Sequence, residues 1–429
     1  MGIGSGLSAQ LGIAEETYQN EVQRISGTPS GAFGLTFDGA NTAATLATNA
    51  SAAAIQAALE ALPNIGSGGV SATGGPLPGN VDVTFSGALV AKRNVPLLTV
   101  QGAVTGLTIT EQTAGKGYGD YVAPTRFLEH NSDSLALQID YMRGRGLRAG
   151  TRVQRQDRTV QNRKGAGGAI TFDVLTKGFG LIFTHMLGAA VITTPGGGTL
   201  TRDHTYTLGD LTNQSLTIQK GVPRLTGGTG NVDAFSYLGC KIVQWQLSSE
   251  VDGLLTLEVT VDAKDESTSQ SLGAASYATG AEELSFVGGQ ITIAGANADV
   301  RAFTLQGTNA MKTDRAYHRH SSLKKEPVQN GLAELTGNLE MDYDGHGRSV
   351  YDRFVSGVPA QVTGLWEGSV IESTFRYGVL ATLPAVRFLG DTAKVDGPDV
   401  VMQPLPFEVL HDGTNEPITI RYRTTDTTD

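Results

Sequence analysis

The run LTLEVTVD, residues 255–262, sets Leu255, Leu257, Val259 and Val261 against Thr256, Glu258, Thr260 and Asp262 in strict alternation. Successive side chains of a β-strand point to opposite faces, so this segment requires one dry face and one wet face. The same period returns along the chain. Leu135, Leu137, Ile139 and Tyr141 share one parity, as do Ile170, Phe172 and Val174, then Val243, Trp245 and Leu247. Leu335, Leu339, Met341 and Tyr343 repeat it, and so do Ile418, Ile420 and Tyr422. With 56 glycines in 429 residues, and Thr and Ser between short apolar runs, the chain reads as many strands joined by tight turns. The expected class is mainly β, a sandwich or barrel.

Two helices are expected among these strands. Phe179, Ile182, Phe183, Met186 and Leu187 form an apolar stripe over 177–187 with Gly188 as the stop, and Val350, Tyr351, Phe354 and Val355 mark a shorter helix ended by Gly357 and Pro359. Both stripes are read as core packing. Residues 29–114 differ from the rest, with only six charged side chains among abundant Ala, Gly and Thr, and read as an inserted α/β domain. Phe33, Leu35 and Phe37 alternate there, as do Val81, Val83 and Phe85, with further strands at 97–100 and 107–110. Between them, 51–62 puts Ile55, Leu59 and Leu62 on one helical face before Pro63.

Charge is distributed unevenly. From Arg143 to Lys164 the chain carries Arg143, Arg145, Arg148, Arg152, Arg155, Arg158, Arg163 and Lys164 against the single acid Asp157, a net of +7 inside a protein of formal charge -10. The remainder therefore holds -17. Because Arg143 and Arg145 continue the parity of Leu137 and Tyr141, a core-facing strand must end near Met142, leaving a loop of roughly 25 residues, a length that is usually functional or ordered by a partner. A nucleic-acid grip lacks interleaved aromatics and a reading module. Guanidinium groups pair with carboxylates in bidentate fashion, so docking on the acidic surface of another copy is the economical reading.

Other chemistry finds little support. Gly144, Gly146 and Gly150 miss the third glycine of a dinucleotide turn, because Ala149 stands there. Asp342, Asp344 and Gly345 depart from a calcium loop, and His318 and His320 lack a further ligand nearby in sequence, so neither a metal nor a cofactor is expected. No Gly-x-Ser-x-Gly elbow occurs, and no enzyme activity is expected. The lone Cys240 excludes an intrachain disulfide framework and reads as a small buried apolar residue. No secretory signal or membrane-length apolar run is found. A hydrolase would need clustered carboxylates or a metal site. A carbohydrate-binding β-sandwich would need exposed loop aromatics, and the chain has only two tryptophans.

The order APTRFLE, SLALQIDYMRGRGLRAG, the arginine-rich stretch, then GAITFDVLTKGFGLIFTHMLG resembles the tail tube proteins of long-tailed bacteriophages, especially those of actinobacterial phages. YTLGDLTNQSLTIQKGVP, FSYLGCKIVQWQL, GLAELTGNLEMDY and GPDVVMQPLPFEVLHDGTNEPITIRY follow in the same order. The resemblance covers residues 1–28, an N-terminal arm, and 115–429, the tube domain. The stretch NASAAAIQAALEALPNIG separately resembles a small module that recurs in phage structural proteins. The resemblance implies a β-sandwich whose strands join those of neighbours into hexameric rings, with rings stacked into a virion tail tube that conducts DNA. It also implies assembly in the host cytoplasm with other tail proteins, and a long loop, 143–164, that reaches an adjacent subunit or ring. An acidic lumen would let DNA slide by repelling its phosphates, with Glu258 and Asp262 as candidate lining.

Overall fold

The computed structural model describes residues 9–43, 45–146, 150, 153, 155–224, 232–318, 320–390, 392–395, 397–398 and 400–429. Strand dominates it and three helices interrupt. The chain divides into two compact units, Met1–Glu15 with Tyr121–Asp429, and Glu16–Asp120.

In the larger unit an antiparallel ladder runs from strand to strand. Ala136–Arg143 pairs with Thr159–Asp173, which pairs with Thr256–Ala263, then Val232–Glu250, Val300–Thr308, Glu334–Asp342 and Met402–Val409. The path continues through Phe375–Phe388, Thr419–Thr424 and Arg202–Leu208 to Gly188–Thr193. Val232–Glu250 serves two ladders. Its first half pairs with Leu216–Pro223, which carries Gln10–Glu15 on its other side. A bulge between Ile242 and Gln244 resets its parity, so Ile242, Trp245 and Leu247 are buried and Val243, expected inward, is only half-buried.

The dry face of the ladder holds Ile170, Phe172, Leu257, Val259, Val261, Phe303, Leu305 and Leu339, all buried. Each contributes about 1.5–3 kcal/mol by leaving water. Trp245 stands over Gly307, where a Cβ would lie 2.3 Å from the indole ring, so only glycine lets the ring pack flat. Trp366, whose place the sequence leaves open, is buried and donates its Nε1–H to Ser249 Oγ at 3.1 Å. Cys240 is buried. The helix Gly180–Leu187 lies on this core, with Phe179 edge-on to Phe172 at 5.7 Å and Phe183 5.6 Å from Tyr422 between ring centroids. Gly188 ends the helix at φ 104°, a left-handed conformation that glycine adopts without strain.

The helix Gly345–Ser356 starts at Asp344, whose Oδ1 accepts from Gly347 N at 2.9 Å. That carboxylate caps a helix, and the expectation that this helix's stripe packs in the core holds only at Val350, because Phe354 and Val355 are 38% and 66% exposed. Asp342 beside it pairs with Arg301 at 2.9 Å.

The smaller unit has its own core of Ile25, Phe33, Leu35, Phe37, Ile55, Leu59, Val81, Val83 and Phe85. Its helix, Ala52–Glu60, is capped by Ser51 Oγ accepting from Ala54 N at 3.2 Å. Val22–Gly27, which the sequence reading assigns to the arm, pairs with both Val81–Phe85 and Leu107–Thr113 inside this unit. Glu21 and Gln23 tie it further by accepting from Val95 N at 2.6 Å and Leu98 N at 2.8 Å. Gln19 and Lys116 exchange backbone hydrogen bonds of 2.9 and 2.8 Å, so the unit enters and leaves at one place.

Candidate functional site

Two surfaces of the larger unit carry unusual polarity. The first is the wet face of its five adjoining strands. Register aligns Thr171, Glu258, Gln246, Gln306 and Thr336 in one row, and Gln306 Nε2 donates to Gln246 Oε1 at 2.7 Å. Across 167–173, 244–250, 256–262, 302–308 and 334–342, alternate positions present Asp173, Glu250, Glu258, Asp262, Glu334, Glu340 and Asp342 and neither lysine nor arginine. The rest are hydroxyls, amides, alanine and glycine. Such a face has a negative potential toward any polyanion close to it.

Glu258 is exposed at the middle of this face. Asp262 sits at its end beneath Lys324, whose Nζ donates to Asp262 Oδ1. Burial raises the carboxyl above its ordinary range, outweighing the attraction of Lys324. Glu258 and Asp262, read alike from sequence, thus stand in different surroundings.

The second surface is the hairpin of Ala136–Arg143 and Thr159–Asp173. The neighbouring strand Thr256–Ala263 flanks Thr159–Asp173 only from Ala166 onward. Beyond it the two hairpin strands pair with each other, and every residue of Ala136–Arg143 is exposed, Leu137 to 37% and Tyr141 to 59%. The strand ends at Arg143, near Met142 as expected, but not in order to keep charge out of the core. The strand carries Arg143 because the face shared with Leu137 and Tyr141 is not core at this end. It also shortens the expected loop, since 159–164 lies in strand. At ~3.3 Å per residue the unflanked part extends roughly 20 Å.

The cationic residues divide along this arm. Lys164 pairs with Asp265 at 2.6 Å, at the base where the bridge to Leu323 also forms. Arg155 pairs with Asp157 at 2.7 Å, which holds that carboxyl below its ordinary range. Arg143, Arg145, Arg158 and Arg163 are exposed. Arg148 and Arg152 lie outside the described residues. A two-stranded hairpin is marginally stable alone, and here exposed apolar side chains sit beside arginines.

Among the described residues no three His, Cys, Asp or Glu side chains gather to hold a metal ion, and no helix is long and apolar enough to cross a membrane. A family model described as phage tail tube protein matches residues 102–409. No curated protein matches the chain.

Proposed function

Because this chain belongs to the phage tail tube protein family, a family of structural virion proteins, we propose that it self-assembles into stacked rings forming a tail tube through which DNA leaves for the host. A six-fold ring, a long-tailed phage, passage of DNA and assembly in the host cytoplasm belong to this proposal and rest on the resemblance of its motifs. The tube role itself follows from the family.

The observation that carries the proposal is the pairing of an acidic wet face with a cationic arm in one chain. A wet face free of lysine and arginine across those five segments suits a lumen, since phosphates are repelled and DNA slides rather than binds. Glu258 is the best-placed lining residue. Asp262, engaged by Lys324, contributes less charge. Among the described residues Ala136–Arg143 and Gly188–Thr193 each pair with one strand only, and such edges suit pairing between copies, as unpaired backbone groups at an edge template another strand. Arg143, Arg145, Arg158 and Arg163, with Arg148, Arg152, Arg155 and Lys164 of the same stretch, then act in contacts between copies. Other tail proteins would meet the two ends of the stack.

We assign the smaller unit to the outside of the tube as decoration. Its separate core and closely spaced entry and exit support this. Excision between Gln19 and Lys116 with a short linker should leave ring formation intact in sedimentation; loss of rings from a folded remainder would refute it. For the tube itself, negative-stain microscopy of the purified protein should show rings or tubes of uniform width.

A further inference from the structure

Glu250 and Thr256 mark one end of the wet sheet, and Lys241 and Ala263 mark the other, because the strands that carry them run antiparallel in register. The cationic arm projects past the Ala263 end. At the Glu250 end a cleft of about 430 Å³ opens between the loop after Glu250, the turn Phe286–Gly288 and the bulged start of Val300–Thr308. Roughly 23 Å separates the two ends along Thr256–Ala263, at ~3.3 Å per residue.

Glu250, Asp299 and Asp342 line the cleft with one cation, Arg301, and three rings, Phe286, Phe303 and Trp366. Three carboxylates against one guanidinium leave it acidic. Its surroundings are apolar and wet: Val251 is 52% and Val287 79% exposed. This order of features matches the arm, where Leu137, Ile139 and Tyr141 lead to Arg143 on one face. Arginine suits such a cleft because its planar guanidinium can pair with a carboxylate while stacking on a ring.

We propose that this cleft receives the arginine arm of a second copy, so that copies join head to tail along the strand direction. The inference rests on the tube reading and names the acceptor that reading lacks. Arm and cleft lie at opposite ends of one sheet, so the contact is heterologous and leaves a fresh arm and a fresh cleft at the ends of every stack. An interface of this kind propagates without limit. It joins ring to ring, while the open strand edges close each ring.

The test reverses the cleft's charge in the full chain with Glu250→Lys and Asp299→Lys, followed by sedimentation and microscopy. Rings should persist while stacking needs about tenfold more protein or more, equivalent to about 1.4 kcal/mol or above. Adding Arg143→Glu and Arg145→Glu to the same chain should restore stacking in part. Normal tubes from the cleft variant would overturn the docking and leave the tube reading standing. Absence of rings and tubes from the unaltered protein would overturn the tube reading itself. Should the cleft variant fail to fold by circular dichroism, Arg145→Cys and Val287→Cys with a short bis-maleimide provide a second measurement. Cross-links between chains in tubes, and none in monomers, are expected; intact tubes without them would refute the docking.

Discussion

Two long hairpins of the larger unit end differently. The tip of Ala360–Glu372 and Phe375–Phe388 is held by its own chain: Glu372 Oε1 accepts from the backbone N–H groups of Thr199, Leu200 and Thr201 at 2.7, 2.8 and 2.7 Å, and both threonine hydroxyls add bonds. The arm of Ala136–Arg143 and Thr159–Asp173 leaves the fold beyond Ala166, and Arg143, Arg145, Arg158 and Arg163 face water. One tip meets its partner within the molecule. The other carries its guanidinium donors outward, as the proposed contact with another copy requires.

The sharpest way to break this comparison is to cut into each end of the hairpin that Ala136–Arg143 forms with Thr159–Asp173. Phe172→Ala, in the flanked half, should cost ~3–5 kcal/mol in chemical denaturation, because the ring is buried against Phe179. Arg143, Arg145 and Arg158 changed together to Gln should alter stability by only about 0.5 kcal/mol or less, yet abolish polymer in sedimentation. Normal polymer from that triple variant would remove the arm from assembly.

Charge on the wet face offers a smaller effect. Glu258→Lys should leave tubes intact but make them retain DNA in a salt-dependent way, measured by co-sedimentation at low and high salt. Equal retention by both proteins would argue that this face lies away from the channel.

The anchored tip gives the smallest change. Its backbone and hydroxyl donors lower the Glu372 pKa to about 2. A depressed carboxylate pKa adds stability above the ordinary value near 4.5, lost as pH falls toward about 2. Thermal melts of Glu372→Gln should therefore fall below those of the unaltered protein at neutral pH and converge with them near pH 2. An unchanged melting difference across that range would show that the carboxylate charge is not what holds the tip.

Strands with one wet and one dry face were readable directly, Leu255 to Asp262 best of all, because burial on a single face writes period 2 into the sequence. The three helices were readable from their apolar stripes and stops, though the stripe of Gly345–Ser356 was misread as core, since Phe354 and Val355 are exposed. Met402–Val409 was not, since Pro404 and Pro406 obscure a strand whose pairing beyond Glu334–Asp342 reaches only Val409, Glu408 and Phe407. The parity of Leu137 and Tyr141 was visible but its meaning was not: alternation cannot say whether an apolar face meets its own core or a neighbour. The cationic stretch was visible as composition, whereas the cleft that suits it combines residues 250, 299 and 342, which only folding brings together. Asp262 looked like open lining because its cover, Lys324, lies 62 residues away.

Microscopy of the purified full chain over a range of protein and salt concentrations tests the central claim most directly. Rings or tubes of one uniform width, with a central channel, are the expected result. Discrete small particles under every condition would contradict it.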